Sequence, residues 1–500
     1  MKQVLISSSI FFDQAVILEN GRLMDYTYEE KNNKSAVGNI YKGKVMNILP
    51  GMEAAFVDVG LEKNAYLFLD GLLSDKFLKE KNIKKRDVLN IGRVLKQGEE
   101  LLVQVVREPM GEKNIAVTTD ISLTGKYVAL IPKSVEVNIS KKIKAHDERK
   151  RLEQIGKEVM KNGNGMIIRT FSENCSKEEI EKEYNMLSAA FMQMEQEYNY
   201  SYAPKLLYES NSMIEKLVLD YIDSTVAEIY VEDKKTKERI TAILKGYDSE
   251  ELKNIRIIES DNSFDIFDVE KQLGMIYDRK VELDNGGSIF IDVTEALTVI
   301  DVNSGKYVGS DSIEDTALAI NLHALDEIGR QVRLRNISGI IIIDFIDVKD
   351  KNNINQIINK ARSVFKEDRV KTSVVGMTKL NLMEITRKKD RENFFNLITR
   401  ECEHCGGSGR TSSKVYIFLK IENIIRKIQK NTSCEAVVLS TGYMLYDKIV
   451  QDCMDVVNKI EEKYNIKIYF DKNKEIFTDE IVIDKMGKKD YINTYFNRQK

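Results

Sequence analysis

Apolar and polar positions along this chain repeat with two periods, and each change of period marks a new element. Residues 1–35 hold two short apolar runs, Val4-Leu5-Ile6 and Ala15-Val16-Ile17-Leu18, with Asn20-Gly21 as a hairpin signal after the second. So few strands cannot close a layer, so they are expected to pair with something later in the chain. Five short strands follow, at 39–47, 53–59, 64–69, 101–106 and 114–118, with Gly51, Gly60 and Gly71 at the bends. That spacing predicts a small five-stranded barrel of the OB type. A mixed stretch comes next: a strand ending at Pro132, a second strand at 165–170, and a charged helical run over 177–200. A helix over 212–221 and a strand at 227–231 are expected to complete the sheet begun at the amino terminus.

The strongest pattern lies further on. Ala296 to Gly305 and Gly339 to Asp347 each read as a buried strand, β-branched and almost wholly apolar, with an aspartate near the carboxyl end. Between them, Ile313, Ala317, Ile320, Ala324, Ile328 and Val332 recur at helical spacing, with Ser312 as N-cap and Asp315 as its acidic capping-box partner. Strand, helix, strand over this length predicts a βαβ unit with parallel strands. Asp301 and Asp344 then leave the same end of one sheet, where open α/β sheets bind ligands. Two carboxylates held side by side repel unless a cation lies between them, and Mg²⁺ suits such a pair because it takes few carboxylates and keeps waters. Asn303 can add an amide. The residues alone leave a second use equally open, in which both aspartates cap the turns that end their strands. The last 90 or so residues alternate helix and strand, as in a small α/β domain.

Composition narrows the class. At 500 residues, with 42% hydrophobic and 31% charged, the chain is a multidomain globular protein, neither fibrous nor disordered. No apolar run approaches the ~20 residues of a membrane span, and the amino terminus lacks the apolar core of a signal peptide. Five cysteines, an odd number, favour a reducing cytoplasm. A net charge of −3 means that any nucleic-acid surface must be local.

Local candidates exist. Phe56 and Tyr66 fall on neighbouring barrel strands and suit either a base-stacking platform or ordinary barrel core, with Lys44, Lys63 and Lys113 available for backbone phosphates. The run Lys141, Lys142, Lys144, Arg149, Lys150 and Arg151 suits a solvated helix face or a basic patch. Arg169 beside Thr170 offers a planar guanidinium fork and a hydroxyl, a pairing that suits a terminal phosphate or a surface ion pair. Lys379 and Arg387 are the basic residues best placed near the sheet end, as phosphate contacts or as solvated surface. Cys402-x-x-Cys405, before a glycine-rich turn, has metal-knuckle spacing, but the chain has only one such pair. It is therefore half of a zinc site shared by two copies, or a redox dithiol; His404 lies between the thiols. His146 and His323 have no nucleophile partners in the sequence.

Taken together, Ile291-Asp-Val-Thr-Glu-Ala-Leu-Thr-Val-Ile-Asp-Val-Asn-Ser304, the run from Asn321 to Arg335, Ile343-Asp-Phe-Ile-Asp347, Ile168-Arg-Thr170 and Cys402-Glu-His-Cys405 resemble the ribonuclease E/G family of endoribonucleases over essentially the whole chain. The resemblance implies a cytoplasmic, Mg²⁺-dependent enzyme of ribosomal RNA processing and messenger decay. It would cleave single-stranded RNA to leave a 5′-phosphate and a 3′-hydroxyl. It implies catalytic Asp301, Asn303 and Asp344, with Mg²⁺ on the two aspartates. Phe56, Tyr66 and Lys113 would clamp RNA, and Arg169 with Thr170 would receive a 5′-monophosphate. Cys402 and Cys405 would hold an inter-subunit Zn²⁺ that links chains into homodimers or homotetramers. The implied architecture is α/β and multidomain: an RNase H-like subdomain from 1–37 with 214–275, an inserted OB-fold RNA-binding barrel at 38–119, and a 5′-end sensor region at 120–213. A DNase I-like catalytic domain at 276–398, a zinc-link at 399–413 and a small C-terminal domain at 414–500 follow. The chain stops at Lys500, which aligns it with the shorter members that lack a disordered scaffold tail.

Overall fold

The computed structural model describes all residues except 33, 73–90, 109–113, 162, 248–249, 306–311, 367, 390–392, 395–398 and 500. It forms two compact units, Met1–Phe395 and Asn396–Lys500.

The amino-terminal runs find their partners where the sequence requires. Lys2–Ser8, Phe12–Glu19 and Arg22–Glu30 form an antiparallel meander, and the first of them pairs in parallel with Val226–Val231, which in turn pairs with Arg256–Glu259. The five-stranded sheet thus joins segments more than 200 residues apart. The helix Met213–Tyr221 is capped by a reciprocal Ser212–Glu215 box, and it packs Ile214, Leu217 and Val218 against Val4, Ile6 and Ile229.

Between these segments lies the barrel. Ile40–Leu49, Ala54–Asp58, Ala65–Phe68, Ala116–Thr118 and Glu100–Arg107 pair in sequence around a ring, and Ile40–Leu49 meets Glu100–Arg107 to close it. Val45, Ala55, Val57, Ala65, Leu67, Val103 and Val117 fill the interior. The expected five strands are therefore present, each within a residue or two of its sequence bounds.

A four-stranded sheet runs in the order Val137–Ile139, Gly165–Ile168, Val128–Ile131, Leu123–Thr124. The helices His146–Val159 and Lys177–Tyr200 share its core through Leu152, Ile180, Tyr184 and Leu187.

The six-stranded sheet carries the two aspartates, in the order Lys280–Glu282, Ser288–Val293, Leu297–Asn303, Gly339–Asp344, Leu382–Arg387, Thr372–Met377. Leu297–Asn303 and Gly339–Asp344 are parallel neighbours, as the βαβ pattern predicts. The connecting helix, Ile313–Leu334, starts at Ser312, whose hydroxyl accepts from the backbone of Glu314 and Asp315. Its Ala317, Ile320, Ala324, Ile328 and Val332 meet Ile300, Ile341 and Ile343 in one core, which the helix Lys351–Lys366 completes. Ile313 does not belong to that stripe: it is 92% exposed, because the first turn precedes the helix's contact with the sheet.

In the second unit, Ala436–Thr441 lies between Lys467–Lys472 and Ile481–Gly487, beneath the helices Lys414–Asn431, Tyr443–Asp452 and Met454–Tyr464. The third strand carries exposed Val482, Ile483 and Met486, and Asp484-Lys485 breaks its alternation, so its sequence signal is weak.

Candidate active site

Strand alternation decides which way the aspartates face. In Leu297–Asn303, Thr298, Ile300 and Val302 are buried toward the helices, so Val299, Asp301 and Asn303 lie on the other face. In Gly339–Asp344, Ile341 and Ile343 take the core and Asp344 turns outward. The pairing register runs Leu297 to Ile340 through Asp301 to Asp344, so the two carboxylates stand directly opposite each other on adjacent strands. Asn303 Nδ2 donates to Asp301 Oδ2 at 2.7 Å. Partial burial, then the nearby charges of Asp301 and Asp347, push the Asp344 carboxyl above its usual range. Asp347 is thus a third carboxylate in this field, one that the strand pattern did not single out.

Phe290 pairs with Asp301 on its other side, and Leu382 pairs with Asp344. Arg279 binds Asp292 through two nitrogens, at 2.5 and 2.6 Å, above the Phe290 ring, and it also feels the charge of Asp301. The two cations expected at the sheet end separate. Lys379 lies exposed in the turn leading to Leu382, beyond the Asp344 end. Arg387 lies opposite Gly339, at the far end of the strand, where it is buried and bound to Asp368 at 2.7 Å. Arg387 is a structural ion pair and is corrected as a phosphate contact.

This donor set suits a hard divalent cation. Two carboxylates stand in register and open to water, they repel each other, and an amide steadies one of them. No cluster of three or more His, Cys, Asp or Glu side chains placed to bind a metal occurs among the described residues.

On the barrel, Phe56 and Tyr66 face outward, away from the core, and their rings lie 4.7 Å apart. The core alternative for Phe56 is thereby set aside: Ala55 and Val57 take the interior. Tyr66 stacks in turn on Phe68, at 5.7 Å and 15°, and Phe68, paired across the strands with Ala54, is 40% exposed. Sequence reasoning missed Phe68, although its i+2 spacing from Tyr66 places both on one face. Lys113 lies outside the described residues. Lys44 and Lys63 are exposed.

Arg169 and Thr170 leave the end of Gly165–Ile168. One terminal nitrogen of Arg169 donates to the Gly125 carbonyl and the other to Asp220 Oδ1 at 2.5 Å; Thr170 Oγ1 lies 3.1 Å from Ser140 Oγ. The loop that supplies Gly125 is held by a buried acid. Glu183 accepts from the backbone N–H groups of Lys126, Tyr127 and Val128 at 2.6, 2.7 and 2.8 Å. A β-carbon on Gly125 would collide with the Glu183 carboxylate. Lys126 is buried, which pushes its pKa down to about 8; it donates to Val218 O and Ile222 O and lies 4.4 Å above the Phe171 ring. The signal for Glu183 was a charge inside the apolar stripe Ile180, Tyr184, Leu187 and Phe191. In the basic run, Arg149 ties down Ser140 and Ile143 carbonyls and Arg151 binds Glu148, so those two arginines serve the helix start.

In the second unit, the backbone around His404 and Cys405, then the Cys405 thiol, lower the pKa of the exposed Cys402 thiol. His404 Nδ1 donates to the Phe477 carbonyl at 2.7 Å and its Nε2 lies 3.9 Å from Asp479. Two thiols are half of a tetrahedral zinc shell.

Residues 122–390 match the model of the Ribonuclease E/G family. Ribonuclease G of Escherichia coli (strain K12) is 34% identical over 409 residues, 81% of this chain and 84% of that protein. Ribonuclease G of Haemophilus influenzae is 33% identical over 440 residues, 87% of this chain and 89% of that protein. Ribonuclease E of the same organism is 28% identical over 498 residues, 99% of this chain and 53% of that protein.

Proposed function

Because the chain belongs to the ribonuclease E/G family, we propose that it is an endoribonuclease of RNA processing and decay, and that it cuts single-stranded RNA at the paired aspartates. The observation that carries this is the register that sets Asp301 opposite Asp344 with Asn303 bonded to Asp301. Asp301 and Asp344 would hold Mg²⁺, which when bound supplies charge neutralisation at the scissile phosphate and acidifies a water. Asn303 orients the Asp301 carboxylate so that one oxygen stays free. Lys379, at the same sheet end, offers a cation to the RNA backbone. Products carry a 5′-phosphate and a 3′-hydroxyl.

The outward aromatic row of the barrel, with Lys113, clamps the strand by base stacking and phosphate contact. Arg169 and Thr170 receive a 5′-monophosphate, which directs the enzyme to RNA ends already processed in ribosomal RNA maturation and messenger decay. The five-stranded sheet (1–37 with 214–275) serves as the RNase H-like scaffold and residues 276–398 as the DNase I-like catalytic domain. Cys402 and Cys405 bind one Zn²⁺ together with the same pair of a second chain and join two protomers, in the cytoplasm.

Cleavage of one single-stranded RNA carrying a 5′-monophosphate or a 5′-triphosphate tests both halves of this proposal. Wild type prefers the monophosphate in Mg²⁺. Asp301→Asn cuts neither form at more than about a hundredth of the wild-type rate, the usual loss when a charge-stabilising group is removed. Undiminished cleavage by that variant would overturn the assignment.

A further inference from the structure

Arg169 is already engaged. Its two acceptors differ in kind: the Gly125 carbonyl is neutral and sits in the loop that Glu183 clamps, whereas Asp220 is charged and arrives from another layer of the fold. Asp220 lies in the last turn of Met213–Tyr221, which packs on the five-stranded sheet. Lys126 Nζ bonds the Val218 and Ile222 carbonyls on either side of Asp220, and the Tyr221 hydroxyl donates to Asp25 at 2.6 Å. A fixed turn therefore holds the carboxylate against the guanidinium. The Arg169 and Asp220 side chains are 24% and 39% exposed, so an anion arriving from solvent can reach the pair.

We propose that Asp220 is a specificity-determining residue: it occupies the Arg169 fork until a 5′-phosphate displaces it. The proposal rests on the assignment of Arg169 and Thr170 as the 5′-phosphate pocket. Charge explains the selectivity. An internal phosphodiester carries one negative charge, as the carboxylate does, and gains little by exchange. A terminal monophosphate carries close to two and offers three strong acceptor oxygens to the fork and the Thr170 hydroxyl. A part-exposed ion pair is weak enough for a dianion to replace. Asp220 thus lowers the affinity of the fork for every incoming phosphate by one common factor, so that the more highly charged terminal group is the one still held.

The test compares kcat and KM on one RNA with a 5′-monophosphate or a 5′-hydroxyl, for wild type, Asp220→Asn and Arg169→Gln. Asp220→Asn raises the monophosphate-over-hydroxyl ratio of kcat/KM by about two- to fivefold, the scale of one exposed ion pair, through a lower KM on the monophosphate. Inorganic phosphate, as a competitor, inhibits this variant at a correspondingly lower concentration. If Arg169→Gln abolishes the preference but Asp220→Asn leaves the ratio and the phosphate inhibition unchanged, or lowers them, Asp220 does not compete and the inference falls alone. If wild type shows no preference, or Arg169→Gln does not alter it, the pocket assignment fails and the inference fails with it.

Discussion

At the residue scale, the informative side chains are those that work against the fold's own preferences. Asp344 is one of them. Its carboxyl is pushed upward by burial and by Asp301 and Asp347, so the folded chain binds its proton more tightly than the unfolded chain does. The stability this gives is present below the ordinary carboxylate range and is lost as pH rises through the raised value. Metal-free wild type is therefore expected to lose melting temperature relative to Asp344→Asn as pH rises across that range. Asp344→Asn should melt higher than wild type near neutral pH, while losing cleavage about a hundredfold or more. Mg²⁺ should raise the melting temperature of wild type and not of the variant; thermal melts with and without the ion check this, and an equal Mg²⁺ shift in both would remove Asp344 from the metal site. Asp301 and Asp344 were legible in the sequence because charges at the ends of apolar strands are conspicuous. Asp347 and Asp220 were not, since an aspartate in a loop or on a charged helix face has no signature until its neighbours are known.

At the element scale, the barrel shows how much a two-residue period decides. Ala55, Val57, Ala65 and Leu67 fill the interior, so Phe56, Tyr66 and Phe68 must share the outer face. The sequence located the strands and two of the rings. It did not distinguish core from platform for Phe56, because that depends on which face the closed barrel turns inward. Phe68→Ala should weaken binding of a single-stranded oligonucleotide by about 1–3 kcal/mol, the loss of one stacked base, with the barrel still folded. Fluorescence-anisotropy titration measures it; an unchanged Kd would confine the platform to Phe56 and Tyr66. Arg387 gives the opposite lesson. Its place in the sequence suggested the active end, but antiparallel pairing carried it to Gly339, the other end of the strand.

At the scale of the whole molecule, the five-stranded sheet is closed by strands more than 200 residues apart, with the barrel and the Arg169 region inserted between them. The insertion brings Asp220, from the returning segment, against Arg169, from the insert. To the proposed shared zinc site one chain brings two thiols, Cys402 and Cys405, while His404 is bonded to the Phe477 carbonyl. On that proposal wild type is a dimer that contains zinc, and replacing Cys402 and Cys405 by serine should give a folded monomer without bound zinc. Light scattering with metal analysis checks this, and an unchanged mass with no zinc in wild type would remove the shared site.

The sequence by itself determined the local elements, the family, and the pair of strands bearing Asp301 and Asp344, because periodicity, capping and turn chemistry act over a few residues. Only the tertiary structure decided register, facing and partnership. It set Asp301 opposite Asp344, turned Phe68 outward, buried Arg387 and laid Asp220 on Arg169. Those outcomes depend on which distant surfaces meet, and a pairing shifted by a single residue would have reversed every side chain involved.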